Sequence, residues 1–343
     1  MTNALKVGKE LGDVAVTTLR FFRQIGVEVV GMPTRWNESA GTNPTKRPLV
    51  PPPQTAPPGE QPPPWKEEEL RRIKSRIESF GLTPIQANLP SPATFSWGAG
   101  RDQDLAVVKQ NIGLAGRLGL RVLTYNFTAL RASEGYGARY GQGRGGADLR
   151  DFDDERIAHL PPLPAIGEQS SEAMWERIDD FLRAVIPTAE AAGIRLAVHP
   201  NDPPVPVYRG VAQPLSDLAG LRQLVNLVDS PANSLFFDTG VTTEMGEDAV
   251  AAIQDFGGRD RIGAVHFRNV RVATPRTQYL ETFQDEGDCN MAACMTALHQ
   301  VQYQGMVEPD HTPGIDGDTA DTRIGWAFAI GQIIALRKAT QPG

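Results

Sequence analysis

Short β-branched runs alternate along the chain with longer amphipathic stretches. A weak first strand at 5–8 precedes a helix at 14–25 and a clear second strand at 27–32 (VEVVGM). The next helix, 65–80, carries Leu70, Ile73, Ile77 and Phe80 at spacings of three and four, the period of one helical face. Gly81 follows at a common C-terminal position. A third strand at 83–87 leads to a helix at 101–118, and a fourth at 120–125 (LRVLTY) comes well before a long helix at 172–192. The alternation then runs on: strand 194–199 (IRLAVH), helix 215–228, strand 234–238 (SLFFD), helix 248–256, strand 262–267 (IGAVHF), helix 290–301, strand 305–308 and a last helix at 319–339. Eight strand-then-helix units predict an α/β fold, a (β/α)8 TIM barrel, as a single domain over 1–343. A doubly wound sheet is the alternative, because periodicity alone does not close a barrel. Barrel enzymes place their chemistry at the C-terminal ends of the strands.

Two segments break the rhythm. The loop at 42–64 has ten Pro between Pro44 and Pro64, which bars regular helix and central strand. It follows strand two, so it reads as an extended cover over the catalytic face, with a plain surface loop as the alternative. The loop at 126–170 is far longer than usual connections and holds GYGARYGQGRGG at 135–146. No Gly-Lys-Ser/Thr follows, so it is not a P-loop. Arg131, Arg139 and Arg144 there are candidates for binding an anionic substrate, and Tyr125 and Asn126 at the end of strand four are candidate substrate contacts.

Composition narrows the function classes. The chain has 34 Lys and Arg against 41 Asp and Glu, a net charge of −7, which argues against a nucleic-acid partner. No apolar run reaches the ~20 residues of a membrane span, and the first ten residues hold no signal-type segment. Cys289 and Cys294 are the two cysteines, five apart in one predicted helix, a poor disulfide geometry. A reducing, cytoplasmic setting is the expectation.

Polar residues gather where the late strands end. Strand five ends in His199 (HPNDPP), strand six in Asp238 (FFDTG) and strand seven in His266 (VHFRNV), and strand eight runs into Asp310 and His311 (EPDHT). His199, Asp238, His266 and Asp310 form a nitrogen and oxygen donor set suited to a divalent cation, Mn²⁺ first, with Mg²⁺ or Co²⁺ as alternatives. Alternation puts Arg268 on the side of His266, where it is either an oxyanion or carboxylate contact or a salt bridge at the barrel mouth. Glu308 shares a side with Asp310 and is a further ligand, a base, or the partner of Arg268. His159 and His299 read as ordinary surface or packing residues.

On these motifs the chain resembles mannonate dehydratase, a metal-dependent, xylose-isomerase-like (β/α)8 lyase. The matching pieces are HPNDPP at 199–204, LVNLVDSPANSLFFDTG at 224–240, HFRNV at 266–270, EGDCNM at 286–291 and PDH at 309–311. The first half adds LRFFRQIGVEVVGMP at 19–33 and VLTYNF at 122–127. The resemblance implies removal of water from D-mannonate to give 2-keto-3-deoxygluconate. It implies metal binding by His199, His266 and Asp310, proton transfer by His311, and an active-site place for Arg268 and Asn269.

The chain also departs from that family's pattern. Asp238 stands where the family has Cys, which hardens the site and disfavours Zn²⁺. Glu308 stands where Arg is usual and Gln284 where His is usual, and 312–323 lacks the expected Pro-Gly-Tyr. A metal-dependent sugar isomerase or epimerase of the same barrel class is therefore the second expectation, and a catalytically silent sugar-binding barrel the third. The expected partner is a small sugar acid or sugar, with a homodimer as the default assembly.

Overall fold

A computed structural model describes residues 5–38, 49–50, 63–92, 99–128, 134–162 and 166–341. Nearly all of the Pro-rich loop at 42–64, and Arg131, lie outside the described residues. The chain begins with β1 (Lys6–Glu10), α1 (Val16–Gln24), β2 (Val29–Gly31), α2 (Glu67–Glu78), β3 (Thr83–Asn88), α3 (Arg101–Arg117) and β4 (Val122–Asn126). Next come β5 (Tyr136–Arg139), β6 (Leu149–Asp153), α4 (Ser171–Ala192), β7 (Arg195–His199), β8 (Val207–Tyr208), β9 (Val211–Ala212), α5 (Leu218–Leu227) and β10 (Asn233–Asp238). The chain closes with α6 (Thr239–Glu244), α7 (Ala249–Gly258), β11 (Ile262–His266), β12 (Asn269–Thr274), β13 (Gln278–Thr282), α8 (Met291–Gln300), β14 (Met306–Glu308) and α9 (Arg323–Thr340).

Eight parallel strands close into a barrel in the order β1-β14-β11-β10-β7-β4-β3-β2, with β1 also hydrogen-bonded to β2. Closure sets aside the doubly wound alternative. The helices form because their apolar stripes need the outer surface of the barrel. In α2, Leu70, Ile73 and Ile77 are buried while Glu67, Glu68 and Glu69 complement the positive end of the helix. The longest helix, α4, starts at Ser170, whose hydroxyl accepts from the amide of Ala173, and ends at Gly193 in the left-handed conformation. Its Phe181 packs against Tyr125. No helix among the described residues is long and apolar enough to cross a membrane. Cys289 and Cys294 are buried free thiols with sulfurs 3.5 Å apart.

The segment at 126–170 is not only a loop. Its β5 and β6 join β12 and β13 in an antiparallel sheet of order β12-β13-β6-β5. That sheet grows from the C-terminal ends of β4 and β11 and caps the barrel mouth. Its side-chain alternation follows from the register: Arg150 faces Glu281, and Phe152 faces both Tyr136 and Tyr279. These residues share the face turned to the barrel, while Asp151 and Arg139 belong to the opposite face.

Candidate functional site

A small apolar cluster fills the inside of the barrel: Val122, Ala197, Phe236 and Ala264. Side chains two residues apart on a strand share a face. Ala197 therefore predicts an inward His199, Phe236 an inward Asp238, and Ala264 an inward His266. The three do converge above that floor, with Phe236 against both imidazoles. His199 Nε2 lies 3.3 Å from Asp238 Oδ2 and 3.2 Å from His266 Nδ1, and His266 Nδ1 lies 3.4 Å from Asp238 Oδ2.

The triangle suits a divalent cation on three counts. Edges of this length fit an ion about 2.0–2.2 Å from each donor. His199 Nδ1 donates to the carbonyl of Pro200 at 2.8 Å, which leaves the lone pair on Nε2 turned into the triangle. His266 turns Nδ1 inward and Nε2 toward Asp310, 3.8 Å from Oδ1. Burial alone would raise the Asp238 carboxyl, but Arg268, His199 and His266 hold it well below the usual carboxylate range. His266 is likewise pushed down by burial but raised overall by Asp310 and Asp238.

Asp310, expected as a fourth donor, stands beside the triangle rather than within it. Its Oδ2 lies 3.3 Å from Arg268 Nε and 3.3 Å from His311 Nδ1. Arg268 is almost fully buried and encircled by carboxyl groups. Nε meets Asp238 at 3.0 Å, one terminal nitrogen meets Glu244 at 2.7 Å, and the other meets Asp202 at 2.9 Å. Glu281 lies 3.7 Å away. Of the two expectations for Arg268, the geometry matches the salt bridge. Burial, opposed by Arg268 and reinforced by Asp202, Asp238 and Glu281, raises the Glu244 carboxyl well above the usual range. Even so, Asp202, Asp238, Glu281 and Asp310 outnumber Arg268 and Arg150, a charge excess that a divalent cation balances.

A cavity of about 130 Å³ adjoins this cluster, and its walls include Arg150, Arg268, Glu281, Asp310, His311 and Trp326. His311 Nδ1 lies 2.9 Å from a terminal nitrogen of Arg150 and 3.1 Å from Glu281 Oε2. In the neutral ring Nδ1–H can donate to Glu281 or Asp310 while Nε2, 3.3 Å from the same Arg150 nitrogen, accepts. The ring thus has a partner in either protonation state.

Other sequence expectations fall elsewhere. Tyr125 points outward to Phe181 and is buried in the helix layer, not in the cavity. Asn126 sits beside His199 in register and accepts from the amide of Thr128. Arg144 pairs with Asp285 and lies over Phe283, away from the cavity. Arg139 pairs with Asp151 on the far face of the cap. Asn269 lines the cavity, but its amide is spent on backbone: Nδ2 donates to Gln284 and Cys289 carbonyls, and Oδ1 accepts from the Cys289 amide. Glu308 is fully buried and partners Lys9 at 3.7 Å, not Arg268. Asp202, Glu244, Arg150 and Glu281 escaped sequence reading. The one sequence signal was the alternation in LRDFD at 149–153, which sets Arg150 and Asp151 on opposite faces.

Comparisons with known proteins agree with the barrel. The family model described as D-mannonate dehydratase (UxuA) matches residues 146–340, more than half of the chain. Mannonate dehydratase 2 of Halalkalibacterium halodurans is 28% identical over 279 residues, covering 74% of this chain and 81% of that protein. The mannonate dehydratase of Lactococcus lactis subsp. cremoris is 27% identical over 327 residues, covering 81% and 88%. Among solved structures, mannonate dehydratase from Streptococcus suis serotype 2 superposes with a TM-score of 0.82 at 23% identity, over 99% of this chain and 96% of that one. An L-ribulose 3-epimerase follows at TM-score 0.56 and 16% identity, over 98% and 95%, a likeness of fold. With its motifs on the barrel's C-terminal rim and the family model spanning them, the chain belongs to the D-mannonate dehydratase family.

Proposed function

We propose that this protein is a metal-dependent hydro-lyase that converts D-mannonate to 2-keto-3-deoxy-D-gluconate and water. The observation that carries the reading is the His199–Asp238–His266 triangle, joined through Asp310 to a cavity that holds His311. His199, Asp238 and His266 would hold the cation, with Asp310 beside them as the further donor. A cation held there, Mn²⁺ first and Mg²⁺ or Co²⁺ next, would supply Lewis-acid polarisation of the substrate's oxygens. Arg268 keeps Asp238 ionised and fixes its orientation. His311 takes the proton from the carbon next to the carboxylate, and Glu281 and Asp310 stabilise the imidazolium that forms. The hydroxyl on the following carbon leaves as water, taking the proton that His311 carries, and the enol relaxes to the 2-keto acid. The cap sheet excludes bulk water from the reacting carbons.

The test is reconstitution of metal-free protein with Mn²⁺, Mg²⁺, Co²⁺ or Zn²⁺, followed by assay of D-mannonate for 2-keto acid. Turnover should be best with Mn²⁺ or another hard cation. His266→Ala should lose metal and activity while keeping its circular dichroism spectrum. Full metal content and normal turnover in that variant would overturn the ligand set. Interconversion of neutral sugars with no 2-keto acid would replace the lyase by an isomerase.

A further inference from the structure

We propose that Arg150, on the cap sheet, takes the substrate's carboxylate and makes the site select sugar acids over neutral sugars. The inference rests on the sugar-acid reading above and names the group that recognises the acid. A buried carboxylate needs a cation with donors to spare. Among the described residues, the cations lining the cavity are Arg150 and Arg268. Each of the three nitrogens of Arg268 already meets a carboxylate. Lys9, nearby in the barrel, is committed to Glu308 and to the carbonyl of Pro309. Arg139 and Arg144 are paired away from the cavity.

Arg150 differs from all of these. One terminal nitrogen serves both Glu281 and His311, while its buried Nε has no hydrogen-bond partner. An unpaired buried donor is costly, and it leaves Arg150 with a donor uncommitted. The guanidinium is also held in place before any ligand arrives. It lies 4.4 Å over the Tyr136 ring, and Glu281 faces it directly across the β6–β13 ladder. A planar, preorganised fork matches the two oxygens of a carboxylate. Its placement fits the chemistry as well: Arg150 is 2.9 Å from His311 Nδ1, so a carboxylate held there sets the neighbouring carbon beside the proton-transfer ring. The same position explains why the cap is needed at all. The barrel supplies the metal triangle, and the insertion after β4 supplies the charge that reads the substrate's acid end.

The test compares wild-type, Arg150→Gln and Arg150→Lys proteins, loaded with Mn²⁺, against D-mannonate and against D-mannitol, the same carbon chain with the acid reduced to an alcohol. Wild type should bind mannonate more tightly than mannitol. Arg150→Gln should raise KM for mannonate on the order of 10–100-fold, with a smaller effect on kcat and no change in mannitol inhibition. Arg150→Lys should recover part of the loss. An Arg150→Gln protein with wild-type KM would overturn the assignment. So would equal weakening of mannonate and mannitol with a lowered melting temperature, the mark of a purely structural lock. A thermal-shift panel of aldonates and their alditols separates this from the reaction itself. If wild type prefers aldonates but dehydrates none, the lyase reading fails, and Arg150 stands if Arg150→Gln abolishes the preference. If wild type shows no such preference, the Arg150 assignment fails.

Discussion

Glu244 and Arg268 show how one residue's charge is set by its neighbours. Glu244 is fully buried, gives Oε1 to Arg268, and has no partner for Oε2. Its carboxyl is raised well above the ordinary value, chiefly by burial. A carboxyl raised in the folded state adds stability below its unfolded value near 4.3, and that contribution is lost as pH rises through the folded value. Glu244→Gln resembles the protonated acid and removes this loss. Its stability should gain on the parent as pH rises from about 4 toward neutrality, as read by denaturant unfolding. Arg268→Gln should instead cost about 3–5 kcal/mol, because it leaves several buried carboxylates unpaired. A variant Glu244→Gln that loses ground as pH rises would contradict a raised Glu244 carboxyl. Glu244, Asp202 and Glu281 were not legible in the sequence. His199, Asp238 and His266 were, since strand alternation fixes which way each points. Arg268 was placed on the correct side, but its partners Asp202, Glu244 and Glu281 come from three separate connections, and no local pattern joins them.

The cap sheet is the element that local pattern could not supply. Its strands β5 and β6 are short, and β5 (YGAR) carries no apolar alternation. The partner of β6 is β13, well over a hundred residues later, with Gln278 opposite Asp153 and Glu281 opposite Arg150. Such a pairing is set by tertiary contact, not by propensity. The barrel strands, by contrast, sit within a few residues of their expected places, because buried parallel strands read as continuous apolar runs. On the outer face of the cap, Asp151 gathers Arg139 and Arg156. Gly137 stands directly opposite, where a Cβ would come within 2.5 Å of the Asp151 carboxylate. Burial would raise that carboxyl, yet the two arginines hold it below its ordinary value. The stability this provides is present above the unfolded carboxylate range and is lost as pH falls through the folded value. Asp151→Asn should cost about 1–3 kcal/mol near neutral pH. The gap between variant and parent should narrow below about pH 4, measured as apparent melting temperature across pH. A gap that widens on acidification would count against the ion-pair account.

At the scale of the molecule, the barrel is sealed where β1 meets β14, with Lys6 opposite Met306 and Val7 opposite Val307. The seam depends on a close approach: a Cβ on Gly8 would fall 2.1 Å from Met306 Cγ. Gly8→Ala should therefore destabilise the protein by about 1–3 kcal/mol through overpacking. The cost should shrink in a Met306→Ala background, a coupling that a double-mutant cycle measures. Equal costs in both backgrounds would place the strain elsewhere. The same seam has a consequence for the nascent chain. At about 5–20 residues per second, the ribosome needs roughly 15–60 s to travel from β1 to β14. Throughout that interval the edge of β1 that β14 will cover stays open, as does the rim that carries His199 and Asp238. An exposed strand edge invites pairing with other chains, so this is the period when a holding chaperone would matter most.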